Sequence, residues 1–125
     1  MAANKQVRFG PVNITAAAAN LFNPATLTGG VNAPGGANTY MLIKHLKVVN
    51  RGNTVPNFTL YVGATGGSAS GTEVGFGTSK AVPANDSVEA WFGTGLRLDV
   101  ADFLTGLASV TATLTIEGEG EVGVA

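Results

Sequence analysis

The sequence predicts an all-β protein, an antiparallel β-sandwich of about eight strands, jelly-roll or immunoglobulin-like, in one domain over residues 1–125. Two observations carry this prediction. Several short runs alternate apolar and polar residues with strict period two and are rich in β-branched side chains, the pattern of a half-buried strand. Clusters of Gly, Pro and Asn ("NRGN", "GATGGSASG", "VPANDS", "FGTG") punctuate these runs about every 8 to 14 residues, the spacing of turns in an antiparallel meander.

Taken in chain order, "QVRFGPVNI" is a weak strand whose Pro11 implies an edge position or a bend, because proline donates no ladder hydrogen bond. "AAAANLF" (16–22) contains helix formers but is cut off by Asn23-Pro24, so its state stays open. Residues 23–39, "NPATLTGGVNAPGGANT", form a long loop without periodicity, and loops of that length are usually functional or disordered. "YMLIKHLKVVN" carries large side chains on both faces and reads as a central strand. "NFTLYVG" directs Phe58, Leu60 and Val62 inward. "TSKAV" is a weak strand. "SVEAWFG" directs Val88, Ala90 and Phe92 one way and Glu89 and Trp91 the other. "GLRLDV" directs Leu96, Leu98 and Val100 inward and Arg97 and Asp99 outward. "VADFLTGLA" suits a helical turn with Asp102 as cap, Asp99 and Asp102 otherwise bracing a turn. "VTATLTIE" is the clearest strand, with Val110, Ala112, Leu114 and Ile116 inward, and "GEVGVA" is a weak closing one. Phe58, Leu60, Val88, Leu98, Leu114 and Ile116 are expected to be buried together between two sheets.

Composition excludes several classes of function. There is no cysteine, hence no disulfide, thiolate metal site or cysteine nucleophile, and a single histidine, His45, allows no His/His metal motif. Charged residues make up 12% with a formal net charge of −1, far from the clustered Lys and Arg that neutralise phosphates, so no nucleic-acid partner is expected. So low a charge density suits a chain that lives inside an assembly. The N-terminus shows no apolar leader and no run is long enough for a membrane helix, so synthesis and folding in a bacterial cytoplasm, without a membrane partner, are the expectation.

The candidate chemical motifs are weak. "GATGGSASG" and "GFGTSK" lack the Lys-Ser/Thr and the following helix that a phosphate-cradling loop requires. No G-x-S-x-G elbow organises a nucleophile. His45 lies mid-strand and reads as structural. "NIT", "NFT" and "NDS" match the glycosylation sequon by chance in a chain without a secretory leader. "IEGEGEV" places Glu117, Glu119 and Glu121 on one strand face, but about 6 to 7 Å apart, too far for one ion to touch all three. They are expected to hold no metal and to face solvent or a basic neighbour, protecting a sheet edge. No catalytic residue, cofactor or metal site is assigned.

The second part of the chain resembles small structural proteins of tailed bacteriophages. The resemblance rests on "LKVVN", "TLYVGATG", "VPANDS", "LRLDVADFL" and "TLTIEGEGE" and covers roughly residues 42–124, while the first 40 residues carry no signature. It implies a β-sandwich virion subunit without enzymatic activity or cofactor. The leading expectation is a head decoration (cement) protein on the outer face of the capsid, bound to the major capsid protein, assembled with itself as a trimer, and stabilising the shell. The alternative is a tail accessory or host-receptor-contacting protein; the absence of aromatic residues from 23–39 weighs against it. Residues 1–12 read either as an N-terminal arm docked on a neighbour or as the first strand. Val7, Phe9, Val12, Leu27, Val31 and Trp91 are the candidate capsid- or subunit-contact residues.

Overall fold

Residues 5–24, 39–63, 67–111 and 113–124 are described by a computed structural model. They form eight strands: β1 (Lys5–Asn13), β2 (Ala19–Phe22), β3 (Thr39–Asn50), β4 (Asn57–Gly63), β5 (Lys80–Ala81), β6 (Ser87–Leu98), β7 (Phe103–Ala108) and β8 (Leu114–Val124). Two four-stranded sheets result, ordered β1-β8-β3-β6 and β2-β7-β4-β5, with every pairing antiparallel. First pairs with last, second with seventh, third with sixth and fourth with fifth, so the chain runs as one long hairpin rolled into two layers. That is a jelly roll. The immunoglobulin alternative falls, because its sheets group the strands differently.

Phe9, Met41, Ile43, Leu46, Leu98, Leu114 and Ile116 of the first sheet meet Phe22, Phe58, Leu60 and Leu104 of the second, all buried. The Phe9 and Phe22 rings cross the layer edge-to-face at 4.9 Å. Five of the six expected core residues are fully buried, and Val88 packs half-buried against them. Val100 and Val110, expected inward, are exposed: β6 ends at Leu98 and β8 begins only at Leu114, so neither valine lies in a strand.

The long strands do not keep one phase. In β3 the buried apolar residues are Met41 and Ile43, then Leu46 and Val48. Against β8, Ile43 pairs with Gly120 and His45 with Glu119, which leaves Lys44 as an extra residue. Such a bulge flips the parity and keeps apolar side chains inward on both sides of it. Opposite Lys44, residues 92–95 bow out of β6, since Ile43 pairs with Leu96 and His45 with Trp91. The expected "FGTG" turn is therefore a bulge inside one strand. Its Gly93 (φ 59°) and Gly95 (φ 126°) take backbone conformations that other residues rarely adopt, and Lys44 Nζ donates to Thr94 O at 2.6 Å.

Two further expectations change. "VADFLTGLA" is not a helical turn but β7, the partner of β2 and β4. Asp99 and Asp102 close the turn before it: Asp102 N donates to Asp99 O and Asp99 N to Asp102 Oδ2. Residues 5–12 belong to the sandwich as part of β1, paired with β8, with Val7 and Phe9 in the chain's own core. Pro11 sits, as expected, on an edge strand, after a cis peptide bond and within a register shift between Phe9 and Val12. Of the loop 23–39, residues 25–38 lie outside the described residues. Asn23 at its start is buried, its side-chain amide donating to Val100 O and Asp102 O.

Candidate binding face

The outer face of the β1-β8-β3-β6 sheet carries about half of the chain's charged residues. Arg8 projects from β1, the three glutamates from β8, Lys44, His45 and Lys47 from β3, and Glu89 and Trp91 from β6. Register places Glu119 opposite Arg8 on one side and His45 on the other, and Glu117 opposite Lys47. Lys44 Nζ lies 3.8 Å from Glu121 Oε2. Each β8 carboxylate thus has a basic neighbour. The glutamate strand is not a sheet edge, as the sequence suggested, but an interior strand between β1 and β3, and its charges are answered across both ladders.

Glycines alternate with these glutamates because their positions point the other way. A Cβ on Gly118 would stand 2.5 Å from the Phe9 ring and 2.7 Å from His45 O. The motif is therefore two features in one strand, with carboxylates outside and clearance for the core inside. Among the described residues no group of three His, Asp or Glu side chains could hold a metal ion.

His45 organises the β6 side of the face. Its Nε2 lies 2.8 Å from Glu89 Oε2; a carboxylate only accepts, so Nε2–H is the donor. Nδ1 faces Glu119 Oε1 at 4.0 Å. The Trp91 indole stacks on the imidazole, 4.1 Å between centroids and 27° between planes. The histidine side chain is 12% exposed, whereas Trp91 is 72% exposed. Both ring nitrogens face carboxylates, not a serine or threonine hydroxyl that a base would activate. A groove of about 270 Å³ runs beside this cluster, lined by Arg8, His45, Lys47, Glu89, Glu117 and Glu119.

Of the six candidate contact residues, the four that are described do not come together. Val7 and Phe9 are spent in the core and cannot serve as apolar anchors on a neighbour. Val12 is half-buried against the same core. Leu27 and Val31 lie outside the described residues. Among the four described, Trp91 alone is displayed to solvent. The ionic rows beside it escaped sequence reasoning because they exist only through the pairing of β8 with β1 and β3; the available signal was that His45 and Lys47, two apart like the glutamates, share one strand face, whereas Lys44 joins them only through the bulge.

No protein-family model matches the chain, and no curated protein matches it. Among solved structures it is similar to a chain from the disulfide-linked pili of Bacillus endospore appendages, with 13% identity and a TM-score of 0.46 over 98% of this chain and 87% of that one. It is also similar to a chain of infectious bursal disease virus, Gx strain, with 12% identity and a TM-score of 0.36 over 98% of this chain and 30% of the other. A mutant VP2 protein of the same virus gives 14% identity and a TM-score of 0.25, over 96% and 28% of the two chains. Likeness at these scores says nothing of function, and the jelly-roll assignment rests on the strand order.

Proposed function

We propose that this chain is a non-enzymatic structural protein of a tailed-bacteriophage virion, a decoration protein on the outer face of the head. The observation that carries the reading is how the sheet edges end. β1 is interrupted by Pro11 and a register shift, β6 by the bulge at 92–95, and β2 and β5 are only four and two residues long. Such edges resist open-ended strand pairing, which suits a subunit packed at high density on a shell without polymerising. The resemblance over residues 42–124 supplies the virion context.

In this reading the capsid side is the β1 edge with half-buried Val12 and the 23–39 segment with Leu27 and Val31. The protein binds the major capsid protein as a trimer and stabilises the assembled shell by mass action, since it adds binding free energy only to that state. Quantitative mass spectrometry of purified virions tests it: hundreds of copies per particle are expected. A few to a few dozen would instead make it a tail accessory or receptor-contacting protein, and absence from virions would end both readings.

A further inference from the structure

We propose that Trp91 and the adjoining groove form a binding site for an uncharged glycan. The indole is fixed from behind by His45, itself held by Glu89, so one flat aromatic face is rigid and turned to solvent. A pyranose ring offers a complementary apolar face of C–H groups to such a platform, with hydroxyls around its rim. Those hydroxyls both donate and accept, and the groove supplies both kinds of partner: Arg8 and Lys47 donate, while Glu89, Glu117 and Glu119 accept.

Two observations favour a sugar over other occupants. Cations and carboxylates nearly balance in the groove, so a strongly charged ligand finds no matching field. Among the described residues Trp91 is the one exposed large apolar side chain on this face; Val55, Val100 and Val110 lie in loops. The apolar centre of a protein–protein interface is therefore missing. The groove's 270 Å³ is below the roughly 300–1,000 Å³ of drug-sized pockets and fits a sugar ring. Trp91 is on β6, at the opposite edge of the sheet from β1, so a subunit held by its β1 edge would leave the indole exposed, with Arg8 at the groove's β1 end. The site itself does not depend on the virion reading.

The chain has one tryptophan, so its fluorescence reports the site directly. The full chain is screened on an array of neutral and acidic glycans and titrated with cellohexaose, maltohexaose and N-acetylchitohexaose. Saturable binding of an uncharged glycan, with a change in Trp91 emission and little weakening at about 0.5 M salt, is expected. Trp91→Ala, which leaves the core intact, should weaken it about tenfold or more with unchanged melting temperature, and Trp91→Phe should weaken it less. No glycan bound, binding that survives Trp91→Ala, or binding confined to acidic glycans and lost in salt would each overturn the proposal. So would Trp91→Ala abolishing head binding while leaving sugar binding unchanged, which would make the indole a protein contact. Loss of sugar binding with head binding retained separates this site from the decoration role.

Discussion

Thr105 and Glu119 both point away from the core, yet Thr105 is 0% exposed and the Glu119 side chain 70% exposed. The outer face of the β2-β7-β4-β5 sheet is closed by the chain's own segment 67–79. The Thr105 hydroxyl donates to Gly67 O, Ser79 N donates to Thr59 Oγ1 at 2.9 Å, and Val62 N and Val74 N exchange backbone hydrogen bonds with that segment and β4. Thr59 and Tyr61 are buried beneath it. The other sheet leaves its outer face open and fills it with paired charges. Alternation along a strand tells which way a side chain points; only the path of distant chain tells whether it meets water. One face is thus part of the folding unit, and the other is open to solvent in the single chain.

The largest expected effect fixes the scale for that contrast. Phe9 is fully buried between the sheets, so Phe9→Ala should cost about 3–5 kcal/mol in urea unfolding. Deleting residues 2–9 should likewise lower the melting temperature strongly, because it removes Val7 and Phe9 together. A truncated chain that melts unchanged but no longer binds heads would restore the docked-arm alternative for the N-terminus.

Next comes the closed face. Thr105→Val keeps the shape but leaves the half-buried Gly67 carbonyl without its hydroxyl donor, a loss of about 0.5–1.5 kcal/mol. The same loss should appear in high salt, since no exposed charge is involved. A negligible effect would mean that the 67–79 segment opens in solution and that the two faces differ less than described.

How much of this was legible follows from the same distinction. Strands with one apolar face, such as "NFTLYVG", "SVEAWFG" and "TLTIE", gave correct phases at Phe58, Leu60, Glu89, Trp91, Leu114 and Ile116. β7 was missed because, covered on both sides like β4, it has no regular polar alternation: Leu104, Thr105 and Gly106 are all buried and Phe103 and Leu107 are half-buried, so period two vanishes and Leu and Ala suggest a helix. Gly106 in particular is there for close packing, a Cβ at that position meeting Leu21 at 2.9 Å and Leu60 at 3.0 Å. The bulge at 92–95 resembles a turn because its glycines serve the same conformational need in both settings. The candidate site was half legible. Trp91 was noted as out of phase with its apolar neighbours, but its stacking on His45 and the Arg8–Glu119–His45 row depend on partners up to 111 positions apart (8 to 119), which no local pattern encodes.

The smallest expected effect is on the open face, and it is the sharpest test of the contrast. Glu119→Gln removes a carboxylate that faces Arg8 and His45 in register, 4.0 Å from His45 Nδ1. Its side chain is largely in water, where the attraction is diluted and ordering two long side chains offsets part of it. The change should therefore shift stability by less than about 1 kcal/mol. What remains should shrink further with salt, because exposed charges are screened within about 8 Å at physiological ionic strength. Urea unfolding of Thr105→Val and Glu119→Gln at low and high salt compares the two faces directly. If Glu119→Gln costs as much as Thr105→Val and salt does not reduce the cost, the charged face is covered in solution by another copy of the chain. A protein-concentration dependence of the unfolding midpoint would then accompany the loss, and the open face would have to be reassigned as a subunit interface.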